Sequence, residues 1–132
     1  MLKKILLLGL FSSFLFSGTI NWTGYAEALR LSDGTKPMFI FVSSSNCSYC
    51  KKEMNLMESN PQFVKFLNTR FVPVYINQSE DYIPQHLISQ VTPTFYLTNE
   101  EGVELGSKII GAQPLPVLIK EMNKAEFKLK GM

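Results

Sequence analysis

From Met38 to Val42 the chain reads Met-Phe-Ile-Phe-Val, five apolar residues without a polar break. A run so short, rich in β-branched and aromatic side chains, fits a strand buried on both faces, as in the middle of a parallel sheet. Upstream, Trp22, Tyr25, Ala26 and Leu29 recur at helical spacing behind Asn21, a residue suited to cap a helix. Asp33-Gly34 ends that pattern and Pro37 closes the connection. Beyond the strand, Ser43 to Asn46 form a polar loop. A helix is expected from Cys47, with Met54, Leu56 and Met57 as its apolar contacts. Asn60-Pro61 pairs a capping residue with proline at the first helical position, so a new helix starts there, burying Phe63, Val64, Phe66 and Leu67.

Phe71 to Ile76 reads as a second strand, and Pro84 to Ser89 as a short helix with Leu87 and Ile88 in the core. Thr94–Leu97 and Val103–Ile110 are two further strands, joined at Asn99-Glu100-Glu101-Gly102 as a hairpin. Leu115, Leu118, Ile119, Met122 and Leu129 share one face of a final helix. Strands separated by helices and then a hairpin predict an α/β fold: a mixed four-stranded central sheet with helices on both faces.

Composition changes this picture only at the N-terminus. At 132 residues, 45% hydrophobic and 18% charged, the chain has the content of one globular domain. Residues 1–18 differ: Lys3 and Lys4, an apolar run from Ile5 to Phe16, then Ser17 and Gly18. A basic start, an apolar stretch of about 7–15 residues and a small-residue end describe a signal peptide, which is expected to send residues 19–132 to the periplasm. If uncleaved, it would serve as an anchor to the inner membrane. Without Lys3 and Lys4 the Lys+Arg count falls from 13 to 11, equal to the 11 Asp+Glu. The remaining domain is near neutral and without a basic stripe, so no nucleic-acid partner is expected. The lysines at 120, 124, 128 and 130 suit the negative end of the last helix.

The chain has two cysteines, in the motif Cys47-Ser48-Tyr49-Cys50. On the first turn of a helix, residues three apart are neighbours, so their sulfurs can join or part with little backbone motion. The unpaired N–H groups and partial positive charge of a helix start favour a thiolate at Cys47. Such sites lower the thiol pKa from about 8.5 into roughly 3.5–7.5. Cys50, one turn in, is then the resolving thiol that releases a mixed disulfide. Other readings compete. A zinc site needs about four ligands, and His86 is the one histidine. A Cu(I) carrier would use Met54 and Met57 as soft ligands beside the pair. A structural bridge over so short a loop would constrain the unfolded chain little.

Together, the strand Met38–Val42, the Cys-x-x-Cys opening a helix, and Val91-Thr92-Pro93-Thr94 entering the next strand resemble the thioredoxin superfamily. The resemblance covers Trp22 to Leu129. It implies a thiol–disulfide oxidoreductase with Cys47 and Cys50 catalytic, and no cofactor beyond that redox-active pair. It also implies that Pro93 is cis and faces the cysteines, that the Thr92 backbone pairs with an extended client chain, and that Gly111 precedes the last helix. The alternative for Pro93 is a trans proline at a strand start. Tyr49 is expected to be exposed beside the pair, in reach of clients, whereas Trp22 and Phe95 belong to the core.

The departures bear on the role. The family's commonest members begin with an extra strand, for which too few residues precede Trp22. The strands would then lie in the order Phe71–Ile76, Met38–Val42, Thr94–Leu97, Val103–Ile110. The family's buried acid six positions before the first cysteine is Phe41 here, the usual tryptophan before that cysteine is Asn46, and Ser-Tyr replaces Gly-Pro. These changes point away from a cytosolic thioredoxin towards a small exported relative. Its partners would be client proteins with cysteines and a membrane-bound electron donor or acceptor, and it is expected to be a monomer. A reductase or isomerase-like direction is favoured over oxidation.

Overall fold

The computed structural model describes residues 18–131, so all but the last residue of the expected leader lie outside it. In chain order the elements are α1 (Tyr25–Leu31), β1 (Met38–Ser43), α2 (Ser48–Glu58), α3 (Pro61–Arg70), β2 (Val72–Asn77), a single 3₁₀ turn (Gln85–Leu87), β3 (Thr94–Thr98), β4 (Ile109–Ile110) and α4 (Leu115–Lys130). The sheet runs β2-β1-β3-β4, the order expected from sequence. β1 pairs in parallel with β2, and both the β1–β3 and β3–β4 pairs are antiparallel.

Every residue of β1 is buried, as its unbroken apolar run requires. Its side chains alternate between two cores. Phe39 and Phe41 join Phe95, Cys50, Met57, Leu67, Leu118 and Met122 on the face covered by α2, α3 and α4. Met38, Ile40 and Val42 meet Ala28 of α1, Leu87 and Tyr96 on the other. Burying each large side chain contributes about 1.5–3 kcal/mol. Asn60 caps α3 as expected, its Oδ1 accepting from the Phe63 N–H at 3.0 Å. Arg70 of α3 pairs with Glu126 of α4 while its guanidinium lies 4.7 Å from the Phe66 ring centroid. Among the described residues no helix is long and apolar enough to cross a membrane.

Three elements differ from the sequence expectation, the first of them for a tertiary reason. α1 starts at Tyr25 behind Gly24, not behind Asn21. Thr23 is held extended against β2, its N–H donating to the Pro73 carbonyl and its own carbonyl accepting from Tyr75, both at 3.0 Å. This one-residue bridge to Val74 is all that stands for an additional first strand among the described residues. Trp22 therefore lies outside the helix and packs 6.0–6.3 Å from the rings of Phe39, Phe41 and Tyr75. Ala28 is the buried residue of α1, while Ala26 and Leu29 are exposed.

The expected helix at Pro84 to Ser89 is only the 3₁₀ turn, which buries Leu87 and leaves Ile88 exposed. The expected strand Val103–Ile110 is broken. Glu104 bridges to Thr98 and Leu105 is buried, but Gly106, Ser107 and Lys108 turn out to solvent before the ladder resumes at Ile109. Leu56 of α2 likewise faces outward, leaving Met57 as that helix's fully buried methionine.

Candidate active site

β1 ends at Ser43, a loop of residues 44–46 follows, and α2 begins behind Cys47. Asn46 has φ 60°, the left-handed region that asparagine enters more readily than most residues. Cys47 follows in extended conformation as the N-cap, and its sulfur accepts a hydrogen bond from the Cys50 N–H at 3.2 Å. The cysteine sulfur thus takes the place of the side-chain oxygen that ordinarily satisfies a free donor at a helix start. Cys47 and Cys50 form a disulfide, their Cα atoms 5.2 Å apart. Cys47 is half-buried and Cys50 is 4% exposed. Only the first sulfur is readily approached.

Across from the pair, the Thr92-Pro93 peptide is cis and Pro93 is buried. The Cys47 sulfur lies 3.5 Å from the Thr92 carbonyl oxygen and 3.4 Å from the Thr92 hydroxyl. The Gly111 N–H donates to the Pro93 carbonyl at 2.8 Å, placing the turn before α4 behind the proline. Tyr49 is 63% exposed beside the disulfide, with Lys52 Nζ 5.6 Å from its ring. Val91 and Ile110, adjacent in chain to Thr92 and Gly111, are also exposed apolar residues. A cavity of about 390 Å³ opens on the β2 side of the pair, lined by both cysteines, Ser44, Asn46, Lys51 and Met54. Met57 belongs to the core instead, and His86 is exposed on the 3₁₀ turn.

Several supporting residues carry no motif. The Gln78 amide clasps Ser89, donating to its carbonyl at 2.8 Å and accepting from its N–H at 3.0 Å. Ser89 and Thr94 hydroxyls both donate to the Val91 carbonyl, at 2.8 and 2.6 Å. This fixes the loop that carries Thr92 and Pro93. On the other side, Ser79 Oγ accepts from the Ser45 N–H at 3.0 Å, and Ser44 Oγ meets Thr92 Oγ1 at 2.6 Å.

Glu53 is the other residue that sequence reading missed. It is 3% exposed on the same face of α2 as Cys50 and Met57, and its Oε1 accepts from the Gln113 N–H at 3.3 Å. Burial raises its carboxyl pKa, partly offset by that N–H. Because the folded pKa lies above the unfolded one, the stability linked to its proton is complete below the ordinary glutamate range. It is lost as pH rises through the raised value. Glu53→Gln should therefore stabilise the protein by about 1 kcal/mol at neutral pH and by nothing at acid pH. Urea denaturation of both proteins across pH measures this difference; a gain that grows towards acid pH would reverse the assignment.

The family model described as a thioredoxin-like domain matches residues 25–126. The chain belongs to the thioredoxin-like family. A protein of Archaeoglobus fulgidus, named only as uncharacterized, is 30% identical to this thioredoxin-like chain over 87 residues, covering 63% of this chain and 68% of that one. Among solved structures, a thioredoxin from Thermus thermophilus superposes with TM-score 0.65 at 24% identity, covering 81% of this chain and 87% of its own. A structure titled DsbH oxidoreductase gives TM-score 0.65 at 20% identity, covering 83% and 86%. The short form of spinach chloroplast thioredoxin f gives 0.58 at 20%, covering 82% and 94%. At these identities the structures show the fold. The family and its Cys-x-x-Cys pair support thiol–disulfide oxidoreductase chemistry at the family level.

Proposed function

We propose that this thioredoxin-like protein is an exported thiol–disulfide oxidoreductase that reduces or isomerises disulfides of client proteins. The observation that carries the reading is the asymmetry of the pair. One sulfur is approachable and takes an N–H donor at a helix start, while the other is 4% exposed one turn in. In the reducing direction the Cys47 thiolate attacks a client disulfide, forming a Cys47–client bond and expelling one client thiolate. Cys50 then loses its proton and attacks the Cys47 sulfur, expelling the second client thiolate and closing the Cys47–Cys50 disulfide. Two electrons pass to the client, and a membrane-bound dithiol donor restores the pair.

The Thr92 backbone and cis-Pro93 would seat the client's extended chain, with Tyr49 as an apolar contact at the rim. Export rests on the leader-like residues 1–18, with the periplasm as destination and the inner membrane as anchor if the leader stays. No cofactor is required, and the protein would act as a monomer without nucleic acid.

The test is to equilibrate the purified protein in glutathione redox buffers and to follow turnover on a protein disulfide with excess dithiol. A potential at or below about −180 mV supports the reducing or isomerising direction, whereas one near about −120 mV reverses it to that of an oxidant. Turnover that persists in Cys47→Ser would overturn the proposal altogether.

A further inference from the structure

We infer that Ser44 is a positioning residue for the Cys47 sulfur, acting through the Thr92 hydroxyl. The inference rests on the reading of Cys47 as the attacking thiol. Ser44 opens the loop after β1 and Thr92 belongs to the loop before β3, 48 residues apart in sequence, yet their hydroxyl oxygens are 2.6 Å apart. Thr92 Oγ1 is in turn 3.4 Å from Cys47 Sγ. The three groups form a line from the cavity wall to the reactive sulfur.

Proton counting gives that line a direction. Each hydroxyl has one proton to donate. When Thr92 donates to sulfur, its oxygen is free to accept, and the proton between the two hydroxyls must come from Ser44. When Thr92 donates to Ser44 instead, the sulfur loses that donor. A disulfide sulfur is a weak acceptor, whereas a thiolate is ionised and accepts strongly. Reduction therefore sets the line as Ser44 to Thr92 to Cys47, and oxidation relaxes it. In the disulfide-bonded structure the Cys47 sulfur already has two donors, the Cys50 N–H from the helix start and the Thr92 hydroxyl from the opposite loop, and on reduction both would serve the thiolate. A hydroxyl that itself accepts a hydrogen bond is a stronger donor. Ser44 thus stabilises the thiolate without touching it. The charged side chain lining the same cavity is Lys51 of α2, which all of the variants below retain.

The test measures the Cys47 thiol pKa from the pH dependence of its alkylation rate in the fully reduced protein. Thr92→Val should raise it by about one to two units, the value of a hydrogen bond to a charged group. Ser44→Ala should raise it by about half a unit, a roughly threefold loss of thiolate well below the pKa. In the Thr92→Val background Ser44→Ala should add nothing, and Ser44→Thr should keep the parent value. An unchanged pKa in Ser44→Ala, or an equal shift with and without the Thr92 hydroxyl, overturns the relay. A second readout needs no variant: the Thr92 hydroxyl and methyl resonances should move between the oxidised and reduced protein, and stationary signals would contradict the switch. If Cys50 is the faster-alkylated thiol in the parent, the assignment of the nucleophile has failed, not the relay alone.

Discussion

Replacing Cys50 with serine should turn a passing covalent complex into a lasting one. On the proposed mechanism a Cys47–client disulfide would be attacked by a thiol held on the same helical turn, with Cα atoms 5.2 Å apart. Such intramolecular placement corresponds to effective concentrations of about 10⁵ M or more for well-aligned groups. Removing it leaves only free thiols in solution, so the mixed disulfide should persist at least about a thousandfold longer. Non-reducing electrophoresis of Cys50→Ser exposed to disulfide-bearing proteins should show discrete higher bands that dithiothreitol removes. Cys47→Ser should show none, because its remaining sulfur is buried. Equal trapping by both variants would refute the division of roles.

The second large effect is structural. Phe41 occupies the position six residues before Cys47 and is fully buried at the centre of the sheet, in register with Tyr75 on one side and Phe95 on the other. Its ring stacks on Phe95 at 5.1 Å with an interplanar angle of 13°, and lies 5.7 Å from Tyr75 and 6.0 Å from Trp22. Phe41→Ala should cost about 3–5 kcal/mol, the range for an aromatic side chain removed from a close-packed core. For a domain of this size that lowers the melting temperature by roughly 15 °C or more. Phe41→Asp should be worse, since it adds an unpaired carboxylate to the same cavity. Denaturant midpoints measure both. A loss below about 1 kcal/mol for Phe41→Ala would mean that the aromatic cluster is not packed as described.

The parts of the fold that sequence made legible share a local cause. β1 is an uninterrupted apolar run, α3 has its cap and proline side by side, and the Asn99–Gly102 turn carries its own hydrogen-bonding side chain. The Asn99 Oδ1 accepts from Glu101 and Val103 at 2.9 Å each. The cysteine spacing is a local signal of the same kind, whereas Thr92 and Pro93 were set opposite the pair by the resemblance to the thioredoxin superfamily; the structure brings the Thr92 carbonyl oxygen 3.5 Å from the Cys47 sulfur. What escaped was tertiary. The start of α1 is set by the bridge from Thr23 to β2, which no periodicity within 21–31 can reveal.

Site residues were missed for the same reason. Ser44, Gln78, Ser89 and Thr94 are ordinary loop and strand polar residues. Two of their interactions tie together separate loops across the fold, with Ser44 reaching Thr92 and Gln78 clasping Ser89. Glu53 had a signal that went unused. Read as part of the charged run Lys51-Lys52-Glu53 it looks solvated, but its spacing to Cys50 and Met57 places it on the buried face of α2.

The chemistry turns on the contrast between an activated Cys47 thiol and a shielded Cys50. Its most direct measurement is timed alkylation of the fully reduced protein across pH, with the modified cysteine located by mass spectrometry. Cys47 should be modified first, at a rate that titrates well below the ordinary thiol value of about 8.5. Modification of Cys50 first, or a Cys47 rate that titrates at or above about 8.5, would contradict it.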